Sequence, residues 1–143
     1  MSSPVHHLTV IRYPADRPGD TVVTVEPTWD DVAAAVSRLD DHEFPIVELS
    51  CTEHDDDEAL LVIGGRGRYA LTQSVPGWQF SDPSRPDREV RLWTSDQGYF
   101  CTEREIITDL GLVLRIVEEF YRTGSYDGLD RFAGVADDSE VTP

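Results

Sequence analysis

The run Ala59-Leu60-Leu61-Val62-Ile63, followed at once by Gly64-Gly65-Arg66-Gly67, constrains this chain more than any other segment. A short unbroken apolar run reads as a strand covered on both faces, so the fold must place it centrally. The glycines make a tight reversal, and Arg68 to Gln73 returns as the antiparallel partner. The rest of the middle segment is strand and turn. Pro45 to Cys51 alternates, Trp78 to Phe80 forms a short strand after Pro76-Gly77, and Val90 to Thr94 alternates again. Tyr99 to Thr102 follows the turn Ser95 to Gly98, and Ile106-Ile107 closes that run. Near the N-terminus, Leu8 to Tyr13 and the β-branched Thr21 to Val25 predict a hairpin with a long loop.

Two helices frame these strands. Thr28 is an N-cap residue with Asp30 and Asp31 in the first turn, where the helix dipole favours carboxylates. Trp29, Val32, Ala33, Val36 and Leu39 then share one face, and Trp29 is expected in the core. The second helix carries a stripe of Leu110, Val113, Leu114, Val117, Phe120 and Tyr121, capped by Thr108 or Asp109 and ended by Gly124. The expectation is one α+β domain over residues 1–132, with six to eight mostly antiparallel strands and two helices packed on them. Residues 133–143 are small and acidic and read as a disordered tail.

Charge excludes several functions. There are 28 acidic residues against 12 basic ones, all arginine, for a net charge of −16. A direct nucleic-acid binder needs a basic face, and so does a protein held on an anionic membrane. A basic protein partner is compatible, because opposite fields speed encounter. The N-terminus shows no basic segment followed by an apolar one, so the chain reads as cytoplasmic. Cys51 and Cys101 are then expected to be reduced, each a small buried hydrophobe in a strand.

No catalytic constellation stands out. Gly64 to Gly67 lacks the ending of a phosphate loop and leads into a strand, so it reads as a hairpin turn. His54-Asp55-Asp56-Asp57-Glu58 has carboxylates and an imidazole but no metal-ligand spacing, and reads as a solvated acidic loop. His6, His7 and His42 have no neighbouring nucleophile in a strand-to-helix elbow. No cofactor or metal is expected. The acidic clusters at Asp40-Asp41-Glu43, Asp55 to Glu58 and Asp137 to Glu140 are the strongest functional signal. A net charge of about 2–8 keeps a small domain soluble, so this excess points to a partner-facing role.

Several segments resemble one known family. Ala59 to Leu71, with Gly64-Gly65-Arg66-Gly67 at its turn, is similar to its glycine-rich hairpin, and Trp78 to Asp82-Pro83 to its next strand and turn. Gln97-Gly98 with Tyr99 to Cys101 resembles a further turn, with Gln and Gly exchanged. Val113 to Phe132, with Glu119-Phe120-Tyr121-Arg122-Thr123-Gly124 and Leu129, resembles its closing segment, Phe132 standing for Trp and Asp127 for Pro. The family is the first-numbered immunity family (Imm-one) of bacterial polymorphic toxin systems. The resemblance spans about residues 30–132. It implies a non-enzymatic inhibitor that binds a cognate secreted toxin 1:1. The toxins paired with the family are often nucleic-acid deaminases, zinc enzymes that attack a base. On this reading Asp55, Asp56, Asp57, Glu58, Trp78 and Asp82 are the expected partner-binding residues, since loops on a sheet present charge and Trp together. The alternative is a small-molecule- or metal-binding α+β domain with no toxin partner.

Overall fold

The computed structural model describes residues 4–14, 16, 18–51, 59–73, 78–92, 99–126 and 128–132. Among the described residues seven strands and two α-helices follow in the order β1 (His7–Arg12), β2 (Asp20–Val25), α1 (Trp29–Ser37), β3 (Ile46–Ser50), β4 (Leu60–Gly65), β5 (Arg68–Gln73), β6 (Glu89–Leu92), β7 (Tyr99–Thr102) and α2 (Leu110–Thr123). The fold is α+β. A five-stranded antiparallel sheet runs in the order β2-β1-β3-β4-β5, and β6 pairs with β7 in a separate hairpin.

The apolar run occupies the interior position expected of it. Register places Val47 opposite Val62 and Val62 opposite Leu71. These residues, with Leu49 and Leu60, join Leu8 and Val10 of β1 in one core beneath both helices. Ile63 points the other way and packs with Ala70, Leu92, Cys101 and Ile106 under the β6–β7 hairpin. Leu60, Val62 and Leu71 are fully buried and Ile63 nearly so, which explains why β4 needs apolar residues at successive positions. The turn between β4 and β5 holds Arg66 at φ 55° and Gly67 at φ 85°. Two positive φ angles in succession are the signature of the tight hairpin turn that matches strand twist.

Local signals set the helix ends. Thr28 Oγ1 accepts from Asp31 N at 3.1 Å, while Asp31 Oδ2 accepts from Thr28 N at 3.0 Å, a complete capping box. Asp109 caps α2 through Gly111 N at 2.9 Å, and Gly124 ends it at φ 66°.

Four details differ from the sequence expectation. The buried face of α2 is Leu112, Val113, Ile116, Val117 and Phe120, whereas Leu110, Leu114 and Tyr121 are only partly buried. The apolar arc of this helix is wide, and packing against the sheet selects its centre. Trp29 likewise lies at the core margin, its ring 5.8 Å from that of Tyr121. Gln79 makes a single bridge to Thr72 in place of a strand over Trp78 to Phe80. Cys51, expected as a buried strand residue, lies just past β3, half-buried, with its thiol donating to Gly124 O at 3.8 Å; Cys101 is buried in β7, and neither cysteine forms a disulfide. The last two residues of the Val90 to Thr94 run, the turns at Pro76-Gly77 and Gln97-Gly98, and the tail at 133–143 fall outside the described residues.

Candidate interaction surface

The sequence-predicted binding residues have different fates. Asp55, Asp56, Asp57 and Glu58 lie outside the described residues. Trp78 is half-buried. Its ring stacks on Tyr126 at 5.5 Å and 30°, and its backbone N donates to Gln73 Oε1 at 3.0 Å. Its carbonyl accepts from Gln73 N at 2.8 Å. Asp82 is 5% exposed. Its Oδ1 accepts from Ser84 N at 3.1 Å and from Ser84 Oγ at 2.8 Å. Asp82 N donates to Arg104 O at 2.7 Å, and Arg104 Nε donates back to Arg85 O at 3.0 Å. Arg85 then reaches Ile106 O at 2.8 Å. Asp82 therefore folds the irregular loop onto the segment after β7, and burial takes it off the surface. The acidic-Pro turn signal was legible, but a turn carboxylate and a surface carboxylate look alike in sequence.

The cluster Asp40-Asp41-Glu43 is structural as well. Asp40 Oδ1 accepts from His42 N at 2.9 Å and from Phe44 N at 2.8 Å. Asp41 lies 3.6 Å from Arg68, and Glu43 accepts from Arg12 Nε at 2.9 Å. Arg12 and Arg38 both stand over the Phe44 ring, at 5.8 and 5.2 Å from its centroid. These carboxylates are half-buried and serve to hold the connection from α1 to β3.

Exposed carboxylates gather at another place. Asp16 and Asp20 flank the start of β2, Glu26 follows its end, and Asp30 and Asp31 begin α1. Between them β2 exposes Val22, Val23 and Val25, at 56%, 53% and 63%. These are the exposed large hydrophobics among the described residues. Register sets Val22 opposite Val10 and Thr24 opposite Leu8, on the side that faces the helices. There a groove of about 360 Å³ runs between α1 and the β1–β2 margin. Its floor is Leu8, Val10, Ala35 and Phe44; Arg12, Arg38 and Asp31 stand at its rim. Sequence reasoning missed this site. The signal was present in Asp20-Thr21-Val22-Val23-Thr24-Val25, a β-branched strand with charge only at its first residue.

Among the described residues no cluster of three or more metal-ligating side chains is present. No described helix is long and apolar enough to cross a membrane. Comparison with known proteins assigns no relative: no family model, no curated protein and no solved structure matches the chain.

Proposed function

We propose that this protein is a non-catalytic inhibitor that captures a basic protein, and that the partner is a secreted bacterial toxin neutralised as a 1:1 complex. The observation that carries the reading is the net charge of −16 on a small α+β domain, well beyond what solubility needs. The resemblance of Ala59 to Leu71 and Val113 to Phe132 to an immunity family names the kind of partner. A toxin that acts on nucleic acid carries a basic face, and an acidic inhibitor meets such a face quickly. Exposed Asp16, Asp20, Glu26, Asp30 and Asp31 supply part of that field, and Asp55 to Glu58 add to it. Carboxylates then stand where the toxin expects phosphates, or bind beside its active site.

Co-expression with the toxin-like product of the neighbouring gene tests this reading. Growth arrest by the toxin alone, relieved by this chain, is the expected result. A neighbour that is harmless on its own ends it. Reversing Asp55, Asp56 and Asp57 to Lys slows association at low salt and flattens its salt dependence. Unchanged association rates refute the role of that loop.

One observation favours a second reading. The groove beside α1 falls at the low end of the volume of small-ligand pockets, about 300–1,000 Å³. A small-molecule binder would be stabilised by a metabolite without any protein partner.

A further inference from the structure

The two margins of the five-stranded sheet are treated differently. The outer side of β5 is covered by the protein's own chain. Tyr69 and Ile107 exchange backbone hydrogen bonds of 2.9 and 2.8 Å, Gln73 N donates to Trp78 O at 2.8 Å, and Phe80 N donates to Leu71 O at 3.0 Å. The outer side of β2 has no strand paired to it among the described residues. Open edges are ordinarily guarded by proline, lysine, a bulge or a covering loop. From Thr21 to Val25 this edge has neither proline nor charge, and its valines are exposed.

We propose that β2 is a docking strand, on which an extended segment of a positively charged partner protein adds as a sixth strand. The inference rests on the reading of this chain as the binder of a basic protein. Main-chain hydrogen bonds along β2 supply attachment, and alternate side chains of the added segment drop into the groove beside α1. That groove accepts apolar groups on Leu8, Val10, Ala35 and Phe44, with Val22 at its mouth. Basic residues at the ends of the segment meet exposed Asp16 and Asp20 on one side and Glu26, Asp30 and Asp31 on the other. A second copy of this chain fits poorly. Antiparallel pairing of β2 with itself about Val22 and Val23 sets Asp20 of each copy beside Val25 and Glu26 of the other, and joins two molecules of charge −16. Like charges brought together in this way oppose association.

The probe is a short synthetic peptide of alternating valine and threonine with arginine at each end, added to the full chain at up to millimolar concentration. The expected result is saturable binding with slowed amide exchange over residues 20–25 and none over β5. N-methylation of alternate peptide amides abolishes it, and exchanging the terminal arginines for aspartates weakens it. Val22→Lys places a charge at the groove mouth and weakens binding about tenfold or more, roughly 1.4 kcal/mol. Because Val22 is exposed, the variant keeps its melting temperature, which verifies folding. No binding, binding indifferent to N-methylation or to terminal charge, or protection elsewhere overturns the proposal. So does a native homodimer that Val22→Lys dissociates. The two readings fail separately. A toxin neutralised equally well by the Val22→Lys variant removes the docking strand and leaves the inhibitor. A peptide that binds β2 while no neighbouring toxin requires this chain does the reverse.

Discussion

Replacing Gly65 with Ala tests how α1 is tied to the sheet. Gly65 closes β4 at φ 143°, and the chain after α1 crosses it through the bridge to Asp40. A methyl group there would lie 2.5 Å from Asp40 N, 2.6 Å from Asp40 Cα and 2.6 Å from Asp41 N. All three are backbone atoms, so no side-chain rotation relieves the contact. The connection must lift from the strand, which also strains the 2.9 Å hydrogen bond from Asp41 N to Gly64 O. The positive φ costs about 1–2 kcal/mol for a residue with a side chain. Overpacking against a fixed neighbour adds about 1–3 kcal/mol, and the weakened hydrogen bond about 1 kcal/mol. Gly65→Ala is therefore expected to destabilise by about 3–6 kcal/mol, a fall in Tm of roughly 10–20 °C. Gly67 is the internal control. It has φ 85° with nothing within 4 Å of an added methyl, so Gly67→Ala bears the conformational cost alone, about 1–2 kcal/mol. Urea unfolding followed by tryptophan fluorescence compares them. Equal midpoints for the two variants would refute the close approach of Asp40 to β4.

Asp82→Ala removes the acceptor of Ser84 N and Oγ; Ser84 is exposed and its donors can turn to water, so the expected cost is the net value of the lost hydrogen bonds, about 0.5–1.5 kcal/mol each, with Asp82→Asn milder; chemical denaturation of both checks this. A toxin-binding loss from Asp82→Asn without a loss of stability would instead assign Asp82 a direct role. Burial, and next to it the charge of Glu105, push the Cys101 thiol up to about 11. The unfolded thiol ionises near the ordinary value of about 8.5, so between there and 11 the folded state holds the extra proton. Stability therefore falls as pH rises through that window, and Cys101→Ala removes that slope; an unchanged slope would place its origin elsewhere. Below the window Cys101 stays a thiol, so native protein near pH 8 resists alkylation there. Phe120→Ala empties a fully buried position between the helices and the sheet, with an expected loss of about 3–5 kcal/mol by calorimetry.

Short-range chemistry was legible in the sequence. Ala59 to Ile63 demanded cover on two faces and has it, Thr28 and Asp31 cap α1, and Gly124 ends α2. Each of these depends on residues within a few positions of one another, or on a run whose composition admits one environment. The tertiary structure alone decided matters that depend on partners far along the chain. It chose which part of the wide apolar arc of α2 is buried, because the sheet surface sets the contact. It brought Ile107 across to cover the outer side of β5, while β2 is the margin with no strand paired to its outer side among the described residues. It also sorted the carboxylates. In the sequence Asp40, Asp41, Glu43 and Asp82 are acidic residues like Asp16 or Asp30, yet the first four are buried or half-buried and hold turns and arginines while the other two are exposed near β2. Net charge is a property of composition; the surface it can act through is a property of which carboxylates the fold has already engaged.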